Sequence, residues 1–299
     1  MSAFTKIGPT LVAFAVLVIG ATIAGLSGCG GAAGVTTGAS SAASITIRHG
    51  KAEAAAPSEG GAAAAAEGAT AAPAGFGTLR GRVVFQGAPP TIEALTAQAL
   101  GKEPICGKAG VPNDRLVIGE GNGVANVFIF LPKAPGGVPV PPLPTEPAKF
   151  DQKSCRFFPH ALIVRASQDL KILNSDSVTH NTHTHALRSE NYNSSISPHN
   201  ETGVDFKYQR SEAKPAEVTC DIHSWMKAYH LPLDHPWGAV TGPNGEFEIK
   251  NVPAGTHKFQ VWHESAGGGG YLDRNLTVTI KPGEVTTKDI PYDASKLEL

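Results

Sequence analysis

The chain has 299 residues and a formal net charge of −1, enough length to bury two small cores. The near-neutral balance argues against a nucleic-acid partner and against a polybasic membrane contact. Charged residues make up only 17%, while Gly (34) and Pro (23) are frequent, a composition suited to short strands joined by turns rather than to helices.

Residues 1–28 read as an export segment. Lys6 supplies a sparse positive start, and Ile7 to Leu26 is apolar and rich in small residues. By length alone this is a signal-peptide core or an anchor helix. Leu26-Ser27-Gly28-Cys29 resembles the bacterial lipobox, in which the Cys is lipidated and becomes the mature N-terminus; the alternative is an uncleaved anchor. Both readings place the remainder outside the cytoplasm, and acyl chains on Cys29 would hold it to a membrane surface. Gly30 follows, with no Asp to mark inner-membrane retention. The expected location is the cell envelope, at the outer membrane facing periplasm or surface rather than at the inner membrane. Residues 29–76 are mostly Gly, Ala, Ser and Thr, including the run Ala62 to Ala66. They cannot bury a core and read as a flexible tether.

Order begins near Gly77. Thr78 to Phe85 reads as a strand ended by Gly87-Ala88-Pro89-Pro90, and a helix is expected over Ile92 to Leu100. Gly123 to Leu131 is a β-rich apolar run, followed by a Pro-rich connector from Pro132 to Pro147. Arg156 to Val164, Asp169 to Leu173 and Ala216 to Thr219 are strand-like, whereas Arg188 to Arg210 is polar with little strand character, a lid or a partner surface. Gly245 to Ile249, Lys258 to Trp262, Leu276 to Ile280 and Thr286 to Ile290 complete the set, separated by Asn244-Gly245, Pro253-Ala254-Gly255 and Pro282-Gly283. Short strands with turn signals between them predict an all-β sandwich or barrel.

Four positions carry the chemistry. Cys220-Asp221-Ile222-His223-Ser224-Trp225-Met226 has the form C-x2-H-x2-M, and Met226 is the only methionine after the initiator. Upstream, Asn174 to Asn181 runs out of a strand into His180. Thiolate and thioether suit copper(I), and imidazole suits both copper states; two His and one Cys with a weak axial Met is the blue-copper electron-transfer donor set. A single Cys argues against a thiolate-bridged copper pair, and Met is a poor ligand for structural zinc.

These residues resemble the cupredoxins, and within them the amicyanins. Such proteins share the short C-x2-H-x2-M loop, an Asn six residues before the first ligand His, and H-N-x-H, here His180-Asn181-Thr182-His183. The resemblance runs from Phe157 to Leu231. It implies one type 1 copper ion with His180, Cys220 and His223 equatorial and Met226 axial. It also implies that Asn181 donates its backbone amide to the Cys220 sulfur, tying the two loops together. Ala166-Ser167-Gln168 stands where cupredoxins place a turn Gly. Trp225, between two ligands, is expected to shield the metal while an edge of His223 stays exposed for electron exit. His183 and His185 are expected to share a face with His180 and to be solvated polar residues rather than ligands. His160, His230, His235 and the Trp262-His263-Glu264 pair are read as structural. Cys106 and Cys155 form a leftover even pair that reads as a disulfide outside the cytoplasm, worth about 4 kcal/mol in the chain-entropy model. The alternative, a Cys220 disulfide, would abolish the site.

From His235 on, Ala239 to Ile249 and Val252 to Phe259 resemble the carboxypeptidase regulatory-like domains, small transthyretin-like β-sandwiches, with His257 in place of a Tyr. Their opening strand is matched by Gly81-Arg82-Val83, far upstream. The expected division is therefore 77–145 with 235–299 as a discontinuous regulatory-like sandwich, and 146–234 as a cupredoxin-like Greek-key sandwich inserted in it. No G-x-S-x-G or H-E-x-x-H is present, and an electron carrier with exported redox partners is expected rather than an enzyme. The competing reading is a cell-surface interaction or carbohydrate-contact module whose metal site is vestigial.

Overall fold

A computed structural model describes residues 75–299 other than 97–98, 102–103 and 109. The export segment, Cys29 and almost all of the tether lie outside the described residues. The described part is almost entirely β. Its strands are β1 (Phe76–Gln86), β2 (Phe128–Phe130), β3 (Ala148–Lys153), β4 (Arg156–Phe158), β5 (Ala161–Arg165) and β6 (Leu170–Asn174). There follow β7 (His180–Thr184), β8 (Asn193–Ile196), β9 (Asn200–Phe206), β10 (Ala216–Thr219), β11 (Lys227–Leu233) and β12 (Gly238–Val240). The last are β13 (Glu246–Pro253), β14 (Gly255–Trp262), β15 (Tyr271–Ile280), β16 (Val285–Thr287) and β17 (Ile290–Asp293). Among the described residues no helix is long and apolar enough to cross a membrane.

Four sheets result: β13-β1-β16 with β17 also on β1, β12-β2-β14-β15, β5-β11-β10-β7-β8, and β4-β3-β6-β9. The first two enclose one core, in which Leu79, Val83 and Phe85 of β1 and Phe247 of β13 meet Ile129 of β2 and Phe259 and Val261 of β14. The last two enclose a second core, in which Phe150, Phe157 and Ile172 meet Val164, Val218 and Ala228. A third cluster joins the inner sheets back to back: Phe128, Phe130 and Trp262 pack on Ala161, Leu231 and Leu233. The strand period of two explains the composition of β2. Ile129 faces the first core while Phe128 and Phe130 face the neighbouring sheet. A strand buried on both faces reads as an unbroken apolar run. Truncating Phe130 to Ala would cost roughly 3–5 kcal/mol.

β1 pairs antiparallel with β13, Gly81 opposite Phe247 and Arg82 opposite Glu246. A β-carbon at Gly81 would lie 1.9 Å from the Lys288 carbonyl oxygen, so the parallel approach of the segment between β16 and β17 requires glycine there. Gly245, at φ +81°, takes the left-handed turn position after Asn244.

Three expectations fail. The helix over Ile92 to Leu100 is absent from its described residues: 91–96 have no regular structure, and a lone turn joins the Leu100 amide to the Thr96 carbonyl at 3.0 Å. The Leu95 amide instead bonds the Val111 carbonyl at 3.2 Å, drawing the segment across the base of its own loop. The strand expected from Arg156 to Val164 breaks at Phe158-Pro159 into β4 and β5, which belong to different sheets. The polar stretch Arg188 to Arg210 holds β8 and β9, edge strands on β7 and β6. Edge strands are often polar, which hid them. At Ala166-Ser167-Gln168, Ser167 itself takes a positive φ of 68°.

His230, on the inner face of β11, is fully buried. Its ring lies edge-on to Phe150, and Tyr208 shares a hydrogen bond with its Nδ1 at 2.9 Å. Burial pushes its pKa down to about 3. His263 is pushed down to about 3 by burial and by nearby His160. Both start from 6.5 in the unfolded chain. Below 6.5 the unfolded state therefore binds protons that the fold refuses. This contribution to stability is whole above that pH and is lost as pH falls toward 3, by roughly 1 kcal/mol per pH unit for each histidine. Chemical denaturation across this window should show the wild-type stability falling more steeply than that of a His230→Gln, His263→Gln double variant; parallel slopes would refute the assignment.

Candidate metal centre

β10 pairs antiparallel with β7, Val218 opposite Thr184 and Thr219 opposite His183. The first residue of β7, His180, and the residue after β10, Cys220, thereby reach the same end of the sheet. The loop that follows Cys220 is tight: the Met226 amide bonds the His223 carbonyl at 2.9 Å, and the Cys220 amide bonds the Met226 carbonyl at 3.2 Å. One donor atom each from His180, Cys220 and His223 lies within 4.8 Å of the others. The two Nδ1 atoms are 2.8 Å apart, and the Cys220 Sγ is 3.8 Å from His223 Nδ1. His180, Cys220 and Met226 are at most 1% exposed and His223 is 4% exposed. Met226 shares the hydrophobic cluster of Cys220.

Asn181 locks the two segments together. Its backbone amide points at the Cys220 Sγ at 3.4 Å. Its side-chain oxygen accepts from the Asp221 amide at 2.7 Å and the Ile222 amide at 3.3 Å, and its side-chain nitrogen donates to Asn193 and Asp221. Behind His180, Asp176 accepts at 2.9 Å from Nε2. A carboxylate only accepts, so Nε2 carries a proton, and Nδ1 faces Cys220 and His223. Asp176 also accepts from the amides of Ser154 (2.6 Å) and Cys155 (2.8 Å), both held at positive φ.

The electrostatics follow from these contacts. Burial alone would push the Cys220 thiol up, but hydrogen bonds to His180, His223 and the Asn181 amide outweigh it and bring the pKa to about 6. Burial likewise opposes a charge on His180, yet its bonds to Asp176 and Cys220 leave it raised. For Asp176, burial raises the pKa but the bonds from His180, Cys155 and Ser154 outweigh it, and the carboxyl is lowered. Asp221 is lowered by His183 and Asn193.

The remaining expected residues divide. Cys106 and Cys155 are joined in a disulfide, and Cys220 is the free cysteine among the described residues. Trp225 is half-buried with its ring 5.0 Å from that of His223, and its Nε1 donates to the Cys155 carbonyl at 3.1 Å. The exposed His223 edge is not found: the residue is buried, with the Trp225 ring against its own. His183 and His185 do not share the face of His180: a separation of three reverses direction on a strand, and both are half-exposed on the far side with rings 4.2 Å apart. His160 pairs with Glu264, and both line a cleft of about 380 Å³ walled by Trp225, Met226 and Tyr229. Sequence reasoning gave Asp176 no role, although a carboxylate four residues before a ligand-type histidine is a usable signal. The parts played by the Cys155 amide and carbonyl leave no trace in residue identity.

The donor set fits a copper ion: one thiolate-prone cysteine, two imidazoles presenting the same nitrogen, a buried thioether, and a dry setting. No protein-family model matches the chain, and no curated protein matches it. Solved structures similar to it include a copper-containing nitrite reductase from Thermus scotoductus (16% identity, TM-score 0.27, 33% of this chain and 25% of that one). Others are amicyanin from Paracoccus versutus (10%, TM-score 0.26, 35% and 97%) and a purple cupredoxin from Nitrosopumilus maritimus (15%, TM-score 0.24, 29% and 99%). The chain thus spans a quarter of the reductase.

Replacing Asn181 with Ala strips the Asp221 and Ile222 amides of their acceptor. Two orphaned groups of this kind should cost about 2 kcal/mol, read as a lower midpoint in urea with unchanged slope. A loss below about 0.5 kcal/mol would show that the side chain is not the clamp.

Proposed function

We propose that this protein is an exported electron carrier that holds one copper ion at His180, Cys220, His223 and Met226. The observation that carries the reading is the convergence of both Nδ1 atoms and the Cys220 thiol in one buried space. Copper bound there would supply a one-electron couple. The chain's own part is to keep the donors in place. Asp176 fixes the tautomer of His180, and Asn181 holds the Cys220 loop against β7. The low pKa of Cys220 keeps the thiolate available near neutrality. The 2.8 Å contact between the two Nδ1 atoms needs a proton on one of them, and that proton must leave when a cation enters. Trp225 stands against the His223 ring and keeps water from that end.

The proposed setting is the cell envelope, with Cys29 lipidated, the tether spacing the fold from the membrane, and exported redox proteins as partners. The proposed architecture is a cupredoxin-like sandwich set into a regulatory-like one, the latter a scaffold without chemistry of its own.

Copper(II) added to the metal-free protein should bind at one equivalent and produce an intense visible thiolate absorption. Cys220→Ser should abolish the colour. Met226→Leu should keep it while raising the reduction potential, because a weak thioether donor would be lost. A colourless protein that retains no copper after dialysis would sink the reading in favour of a surface-interaction module.

A further inference from the structure

The cleft beside Met226 carries polar chemistry that the metal reading does not use. Its volume is about 380 Å³, at the lower end for a ligand pocket, with room for one ring rather than for a peptide. The His160–Glu264 pair lines it, with side chains only 11% and 8% exposed. A second pair, Arg156 with Asp114 at 2.6 Å, lines it too, with side chains 24% and 19% exposed. Pairs buried to this degree are weak stabilisers, since desolvation offsets most of the attraction. The rest of the lining includes Leu95, Val111, Trp225, Met226 and Tyr229.

We infer that this cleft binds a small uncharged aromatic alcohol, one ring bearing one or two hydroxyls. The ring lies against Trp225, Tyr229 and Met226, and the hydroxyls meet the carboxylates of Glu264 and Asp114. The inference goes beyond the copper reading and does not depend on it, because neither His180, Cys220 nor His223 lines the cleft.

Charge selects the class of ligand. Each charged group in the lining already has a partner. Arg156 has Asp114, His160 has Glu264, Lys227 has Glu217 at 2.9 Å, and Arg115 donates to the Glu298 carbonyl at 2.8 Å. A charged ligand would have to displace one of these partners. A hydroxyl need not, since a carboxylate holding one donor keeps lone pairs for an O–H. The apolar lining selects a ring, because flat rings pack well on Trp and Tyr, and a thioether makes favourable contacts with an aromatic edge. The walls are also fixed in advance. Asp114 is tied to β4 through Arg156, whose guanidinium lies 4.6 Å from the centre of the Phe158 ring. The carbonyl of the next residue, Arg115, accepts from the Ser265 hydroxyl at 2.7 Å, which joins that wall to the segment bearing Glu264. A ligand therefore has little to order when it enters.

The test uses the metal-free full chain, with resorcinol, a ring carrying two hydroxyls, as the probe. Titration followed by amide and indole NMR should show saturable shifts at Trp225, Tyr229 and Glu264, with a Kd on the order of 1 mM or tighter. Benzoate and benzylammonium, rings of similar size with a charge, should bind at least tenfold more weakly. Glu264→Gln should weaken resorcinol binding about fivefold, since a neutral acceptor replaces a charged one. Leu95→Trp, which fills the cleft, should abolish the shifts. No saturable shift in the wild-type protein, shifts confined to other residues, or benzoate binding as tightly as resorcinol would overturn the proposal. These three outcomes need no variant, so misfolding of a variant cannot shelter it. Any of them, obtained while the protein still takes up copper and turns blue, would remove the cleft site and leave the copper reading standing.

Discussion

The register between β7 and β10 is the constraint on which the site depends. His180 and Cys220 are 40 positions apart and share a metal-sized space only because Thr219 lies opposite His183 and Val218 opposite Thr184. Side chains alternate along a strand, so a slip of one residue would carry His180 out of the core and bring His183 in. The register is defended from both sides. Thr182 and Thr184 are buried on the face of His180 while His183 and His185 stand toward solvent, and the Asn181 side chain reaches the amides of Asp221 and Ile222. Asn181 can do this only in the observed register. Apolar burial sets the pairing coarsely, and one amide side chain sets it to within hydrogen-bond tolerance.

The sheet that carries the donor residues is also buried on its outer side. Leu231 and Leu233 of β11 lie against Phe128, Phe130 and Trp262, so this sheet has a protein layer where a free-standing sandwich would face water. Rigidity follows, since each face is close-packed and neither can shift without opening a void. β1 reaches β13 only by leaving the intervening strands to fold as a block, and its amides then pair on both edges, with β13 on one side and with β16 and β17 on the other. A central strand of this kind satisfies the backbone fully, whereas an open edge would invite association.

The fold class was legible because strand spacing and turn chemistry are local: Ala216 to Thr219 appears as β10 residue for residue, and Asp169 to Leu173 shifts by one to become β6. Where the reading failed, a non-local force prevailed. The Ile92 to Leu100 pattern is helical in isolation, but Leu95 and Leu100 are drawn into the cluster around Cys106 and Cys155. The polar strands β8 and β9 lacked an apolar stripe because their outer faces meet solvent. At the site, residue type and spacing announced Cys220, His223 and Met226, since all lie on one short loop. His180 was legible through Asn181 and Asn174, whose side chains tie segments together. Asp176 was not, because an aspartate in a polar turn usually faces water, and only the fold shows His180 on one oxygen and the amides around Cys155 on the same carboxylate.

Asp176 is the junction that joins the buried His180–Cys220–His223 cluster to the covalent cross-link. Its carboxylate receives three charge-assisted bonds, from His180 Nε2 and from the Ser154 and Cys155 amides, each stronger than its neutral counterpart. The latter two hold consecutive residues in a backbone conformation that non-glycine residues resist. Strain at Ser154 and Cys155 is thus offset by the same group that orients the ring of His180. The Cys155 carbonyl, in turn, anchors Trp225 beside His223. Both histidines are therefore positioned through one residue of the disulfide, His180 from its amide side and His223 from its carbonyl side. Any change that frees Cys155 must be felt at both, and this gives the Cys106–Cys155 bond a place in the site as well as in the stability of the chain.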